Sequence, residues 1–340
     1  MSPLRTTVTG SWWPAVGHED RLLEMHRQGI DPDARESLLR DCAARAIAEQ
    51  RDLGLTEWTG GEYFTDEFLN HMQAKLTGIE IDVASKKELF DYDDFAHANI
   101  TGPIEAPDGL GYAEAYLRER DLDGGVRKST VVGPLEIAFN AIDQLDELKA
   151  QMPGLTGIVN AEMRALADAG CPHVQLDVPA FSTLMSMGLL TPEEAAGILE
   201  DCFEGVGAPR RGIHICSGNM RGRPLSGDLS CAGWVGILER LDGVINVAHV
   251  AVHYFNRYQE REAFAAVPES IEIAAGIVDE ACYWVEPVEK IRERASDWAR
   301  VVGEERLWLA PSCGFGRHPS RDIPVLRQRI ENMVEAAQSL

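Results

Sequence analysis

Along this chain, short runs dense in Val, Ile, Thr and Leu alternate with longer stretches whose apolar residues recur every three to four positions. Eight runs have the first pattern: TTVTGS (6–11), LTEWTGGE (55–62), STVVGP (129–134), HVQLDVP (173–179), GIHIC (212–216), INVAHVAVHYF (245–255), IEIAAGIVD (271–279) and LWLAPSCGF (307–315). Their length and β-branched content predict strands. The helical period fits residues 34–54, 156–170, 191–206, 297–305 and 324–338. The third of these opens with Thr191-Pro192-Glu193-Glu194, an N-cap residue followed by proline at the first helical position and acids in the first turn.

Eight β-type runs alternating with helices predict an α/β fold, a single (β/α)8 TIM barrel over residues 1–340. An open doubly wound sheet would carry a glycine-rich phosphate loop after its first strand, and GSWWP is not one. Residues 77–128 fit neither period. They carry the polar DYDDF and the turn-forming EAPDGLG, and are expected to form an insertion between strands 2 and 3 that caps one end of the barrel.

In a parallel barrel, functional groups collect where strands end at the C-terminal face. The predicted strands here end in Ser11, Glu62, Asp177, His214 with Cys216, His253, Asp279 and Cys313. His214 and Cys216 share a parity, so both side chains leave the strand on one face and could chelate one ion. Barrel closure would bring Cys313 to the same mouth, and an imidazole with two thiolates suits zinc with one position left open. The His-x-Cys pair taken alone reads more readily as a hydrogen-bonded histidine beside a buried cysteine. A Cys/His nucleophile lacks a third, orienting group in the sequence.

Composition narrows the class. The chain has 340 residues, 45% hydrophobic and 26% charged, enough apolar material for a large core. With 55 acidic against 32 basic residues the formal charge is -23, and no basic stripe occurs, which argues against nucleic acid or an anionic membrane surface as partner. No apolar run approaches the ~20 residues of a membrane span, and MSPLRTTVTGSWWP lacks the pattern of a secretory leader, so a soluble cytoplasmic protein is expected. The seven cysteines are odd in number and scattered, unlike a disulfide framework.

The motifs TTVTGSWWP, TGGEYFTDEF, VQLDVPAF, HICSGN and LAPSCGFGR occur in the order found in the catalytic half of cobalamin-independent methionine synthase, and the chain resembles that family from Arg5 to about Ala337. The HICSGN form is most similar to the short, single-barrel relatives. The resemblance implies that His214, Cys216 and Cys313 are zinc ligands. The family's remaining ligand is a glutamate at the end of the sixth strand, where this chain has AVHYFNR. One alignment puts His253 in its place and another His249. Glu62 and Asp177 match positions that hold the amino group of homocysteine, and Ser11 matches one near its carboxylate. Val178 stands where the family has a second acid, and Asn140 stands near a tryptophan that supports folate binding. Trp12 with Trp13 is an alternative aromatic wall for the substrate.

The activity so implied is transfer of an alkyl group, a methyl group first, to a small thiol such as homocysteine that zinc has made nucleophilic. The alkyl donor is not specified by the sequence, and a methyl-carrying protein or cofactor would serve. Asp279 or His253 would supply the proton for the leaving group. Two other expectations stand beside this one: an epoxide-thiol transferase or thioether lyase using the same zinc centre, and a non-catalytic zinc-binding paralogue.

Overall fold

A computed structural model describes residues 3–13, 31–65, 68–86, 96–216, 231–251, 254–279, 284–315 and 323–340. Among the described residues nine strands are formed: β1 (Arg5–Thr6), β2 (Thr77–Lys86), β3 (Ala96–Glu105), β4 (Ser129–Val132), β5 (His173–Asp177), β6 (Arg210–Ile215), β7 (Val247–Val250), β8 (Glu272–Val278) and β9 (Leu307–Pro311). The main helices are α1 (Pro32–Asp52), α2 (Phe68–Lys75), α3 (Tyr112–Arg120), α4 (Met152–Asp168), α5 (Pro179–Ser186), α6 (Pro192–Phe203), α7 (Cys231–Arg240), α8 (Val288–Val302) and α9 (Ile323–Gln338). No described helix is long and apolar enough to cross a membrane.

Seven strands form one sheet in the order β1-β9-β8-β7-β6-β5-β4, and every neighbouring pair is parallel. The two outer strands are joined through residues 55–61. Glu57 donates its N–H to Thr6 O (3.0 Å), Ser11 and Gly61 form a parallel bridge, and on the other side Arg127 donates to Trp58 O (3.0 Å). The run 55–62 thus takes the eighth place in a ring of backbone hydrogen bonds, although it is too irregular to count as a strand.

The strand sequences alternate for this reason. Val174, Leu176, Ile213, Ile215, Ala248, Val250, Ile273, Ala275, Leu307 and Leu309 face outward into the main core shared with the helices. The alternate positions face inward and, apart from Trp308, are polar or small, among them His173, Gln175, Asp177, His214, His249, Ala274 and Ala310. A helix cover on the outer face and side chains filling the inside leave both strand faces buried. At α6 the expected capping box is present: Thr191 Oγ1 accepts from Glu194 N (3.2 Å), and Glu194 accepts from Thr191 N (2.8 Å).

Two expectations need correction. The described parts of 77–128 are not irregular: β2 and β3 pair antiparallel, and α3 follows before β4, while the DYDDF stretch lies outside the described residues. This ribbon docks on the chain leaving β4 at its C-terminal end, where Asn140 O, Gln144 Oε1 and Gln151 Oε1 accept from the N–H groups of Ala98, Ile100 and Ile104 at 3.0, 2.7 and 2.6 Å. The apolar run 245–255 is a strand only over Val247–Val250, and from Tyr254 to Ala266 the chain winds as a 3-10 helix. A short apolar run supports either conformation, so its periodicity alone could not decide between them.

Candidate metal centre

His214 lies near the end of β6 and Cys216 just after it, while Cys313 follows β9 two residues after Pro311. A nitrogen of His214 and the sulfurs of Cys216 and Cys313 all lie within 4.8 Å of one another. The parallel register brings them together: each strand presents its last inward residue at the same mouth. Burial is nearly complete for His214 and Cys216, and Cys313 is partly exposed. Among the described residues neither buried ring nitrogen of His214 has a nitrogen or oxygen partner, and the ring's interaction is with the Cys216 sulfur. A polar ring in that state is costly unless something else binds it, and two sulfurs at coordinating distance supply the rest of a soft-ligand set for zinc. The donor set therefore fits the ion that the sequence motifs imply.

His249 is paired in register with His214, and the two rings are 4.5 Å apart between centroids. Its Nε2 lies 2.7 Å from Pro311 O. A carbonyl can only accept, so Nε2 carries the proton and Nδ1 keeps its lone pair. That Nδ1 is buried and has no partner among the described residues. Burial, followed by the neighbouring His214, pushes the His249 imidazole well below its ordinary range, so it is neutral. His253 lies outside the described residues.

Two carboxyls stand beside the centre. Glu62 follows Gly60-Gly61 in a turn and has φ 65°, a left-handed conformation that a non-glycine residue adopts only when its surroundings fix it. Its Oε1 accepts from Thr130 Oγ1 at 2.5 Å and lies so close to the backbone of Gly10 that a Cβ there would come within 1.9 Å of it. Asp177 ends β5, and its Oδ1 accepts from Gln175 Nε2 at 2.8 Å. Burial, then the charge of Asp177, pushes Glu62 up to about 7, and burial raises Asp177 to about 6 although His214 and Gln175 oppose this. Ser11 packs against Gly314, next to Cys313, and its carbonyl accepts from Phe315 N.

The remaining candidates are placed differently. Trp12 is buried in the core, stacked on Trp13 (3.8 Å) and edge-on to Phe315 (5.6 Å). Both indole N–H groups donate to Glu49 Oε2 on α1 at 3.0 Å. Asp279 follows β8 half-buried, and its N–H donates to Glu286 Oε1 (3.2 Å). Sequence reading passed over two buried groups. Glu136, in the turn after β4, accepts from Ala180 N with both oxygens at 3.0 Å, where Asp177 and Cys216 contribute to raising its pKa after burial. Lys128 lies just before β4 on the inward parity of Thr130. That parity was the available signal for it.

Comparison with known proteins agrees with this architecture. The family described as "Cobalamin-independent synthase, Catalytic domain" matches residues 4–199 and 248–339. The intervening stretch, which holds His214 and Cys216, falls outside the match. A methionine synthase of Sulfolobus acidocaldarius is 21% identical over 339 residues, covering 98% of this chain and 91% of the relative. The 5-methyltetrahydropteroyltriglutamate--homocysteine methyltransferase of Nitratidesulfovibrio vulgaris is 25% identical over 99% of this chain but only 42% of its own length. Among solved structures, the B12-independent methionine synthase from Shewanella sp. W3-18-1 in complex with selenomethionine superposes with a TM-score of 0.77 at 16% identity, over 99% of this chain and 98% of that one. The putative vitamin-B12 independent methionine synthase from Listeria monocytogenes gives 0.70 at 19% identity, over 100% of this chain and 98% of that one. The shared barrel and a family match over most of the sequence place this chain in the cobalamin-independent methionine synthase family, in its single-barrel form.

Proposed function

We propose that the protein transfers an alkyl group, a methyl group first, to the sulfur of a small amino-acid thiol such as homocysteine. The observation that carries this reading is the cluster of His214, Cys216 and Cys313, whose ligand atoms lie within 4.8 Å of one another, with Glu62 and Asp177 beside them. The relatives' names, methionine synthase and homocysteine methyltransferase, support the same substrate class.

His214, Cys216 and Cys313 would hold zinc, with His249 Nδ1 or His253 as the further ligand or proton-bearing neighbour. Zinc, when bound, lowers the pKa of an incoming thiol so that it is a nucleophile at neutral pH. The protein groups do the rest. Glu62 and Asp177, ionised, accept hydrogen bonds from the substrate ammonium and fix the thiol's direction. Ser11 donates to the carboxylate end. Trp12 and Trp13 back this mouth from the core through Phe315, so the wall under Cys313 does not yield. Asp279 stands at the end of β8, where it can pass a proton to the departing group of the donor. The working unit is one barrel over residues 1–340, with 77–128 as its cap. The donor is an activated alkyl compound, carried by a cofactor or a protein.

Metal analysis tests the centre directly. The unsubstituted protein should carry about one zinc per chain, and Cys216→Ser and Cys313→Ser should each lose most of it. Zinc retained in full by both variants would remove the metal proposal. Homocysteine added to zinc-loaded protein should release about one proton per thiol bound.

A further inference from the structure

Beneath the acids, polar side chains run down the inside of the barrel as one hydrogen-bonded chain. Lys128 is fully buried, and its ammonium donates to Thr7 Oγ1 (3.1 Å), to Val8 O and to Gln175 Oε1 (3.2 Å). The Thr7 hydroxyl spends its own hydrogen on Glu57 Oε2 at 2.7 Å, so toward Lys128 it can only accept. Three ammonium hydrogens thus meet three acceptors. Glu57 in turn accepts from His173 Nδ1 at 3.0 Å.

This arrangement leaves Gln175 no choice of orientation. An ammonium has no lone pair to offer, so the side-chain oxygen of Gln175 must face Lys128. The amide nitrogen is then turned to the other side, where Thr9 O (3.1 Å) and Asp177 Oδ1 (2.8 Å) are both acceptors. Exchanging the amide's ends would set N–H against ammonium and carbonyl against carboxylate. Asp177 is therefore held through Oδ1, with its other oxygen left for a ligand.

We infer that Lys128 is a positioning residue for recognition of the substrate's ammonium group, acting through Gln175 to fix the direction of Asp177. The inference rests on the reading of Asp177 as an ammonium acceptor. It identifies the part of the thiol substrate that this interior lysine governs: the amine, and neither the sulfur nor the carboxylate.

Calorimetric binding to zinc-loaded protein, comparing homocysteine with its deaminated analogue, separates the two claims. The unsubstituted protein should prefer homocysteine. Lys128→Met and Gln175→Leu should each reduce that preference about tenfold, and the double variant should reduce it no further, because the two residues lie on one path. Affinity for the analogue and zinc content should stay within about twofold. Lys128→Met also strips Glu57 of a cation; if it fails to fold, Gln175→Leu carries the test, since that change leaves Lys128 and Glu57 in place. A preference that survives substitution, with zinc unchanged, overturns the inference alone. Equal binding of both thiols by the unsubstituted protein overturns the role of Asp177, and the inference with it.

Discussion

On β4 with Lys128 just before it, β5 and the run 55–61 the inward positions include Lys128, Thr130, His173, Gln175, Asp177 and Glu57, whereas on β8 and β9 they are Glu272, Ala274, Gly276, Trp308 and Ala310. Both walls close the same barrel, and both are buried. The first keeps its charges because each is bonded: Lys128 to three acceptors, Glu57 to Thr7 and His173, Gln175 to Thr9 and Asp177. A buried ion without such partners would cost several kcal/mol. The second wall carries a paired charge only at its lower end, where Glu272 accepts from Trp308 and Arg5. Trp308 fills the space that Ala274 and Ala310 leave, and the three form a cluster separate from the main core. A barrel is stabilised adequately by the second kind of wall, so the first kind points to a task at the mouth above it. The candidate metal site joins the two walls: His214 and Cys216 come from the strand beside β5, and Cys313 from the chain after β9.

The largest effect expected from breaking this contrast is on the apolar side. Trp308→Ala removes the ring that fills the small-residue wall, its hydrogen bond to Glu272 (2.9 Å) and the stacking of the Arg5 guanidinium 4.3 Å above it. Chemical denaturation should show a loss of about 3–5 kcal/mol. The preference for an amine-bearing thiol should be unchanged in the protein that remains folded. A shift in that preference would mean that the two walls are not separable.

Glu57→Gln does the opposite, weakening the polar wall while keeping its volume. Burial pushes the Glu57 carboxyl up, but the facing His173 and Lys128 outweigh it and hold the group down to about 2. A carboxyl depressed on folding contributes stability above its unfolded pKa of about 4.5 and loses that contribution as pH falls toward 2. The substitution should therefore cost on the order of 3 kcal/mol at neutral pH. The difference from the unsubstituted protein should shrink between pH 4.5 and 2. A pH-independent difference, followed by denaturation across that range, would mean that Glu57 acts only through packing.

The two walls were not equally legible in the sequence. Aliphatic residues at every second position of HVQLD, GIHI and LWLAP marked the strands, because outward burial against helices imposes that pattern on each strand separately. His214 with Cys216, and Cys313 on the last run, could be read the same way, since parity and strand end place them. Parity puts Lys128 and Gln175 on the inward face, but neither they nor Glu136 could be assigned a role from it. Their roles depend on partners such as Thr7, Ala180 and Asp177, which come from other strands and helices, and nothing local distinguishes a saturated buried lysine from a solvated one. The tryptophan doublet has the same limit. Stacking, contact with Phe315 and bonding to Glu49 are tertiary facts, and GSWWP carries no trace of them. The β2–β3 ribbon was hidden because its docking bonds come from Gln144, Gln151 and the Asn140 carbonyl.

The smallest effect sharpens the contrast by titration. Without substrate, Glu62 is held up to about 7 and Asp177 to about 6, burial being the first cause of both. An ammonium ligand favours the ionised forms, so above about pH 7 it binds without moving a proton on either group. Between about pH 7 and 6 Glu62 must give up its proton for the amine to bind, which weakens affinity by about tenfold per pH unit. Below about pH 6 Asp177 adds a second proton and steepens the fall. The thiol releases its own proton on binding in either substrate, so that contribution cancels in the ratio of homocysteine to its deaminated analogue. The ratio should be flat above about pH 7 and fall on the acid side, in calorimetry between pH 5.5 and 8. Trp308→Ala should leave the curve in place, since neither Glu62 nor Asp177 is on its wall. Lys128→Met should lower the plateau and move the Asp177 limb to higher pH, because a cation that favours its charge is gone. A ratio constant across the whole range would exclude both carboxyls from holding the amine, leaving the polar wall with no task that the apolar wall could not perform.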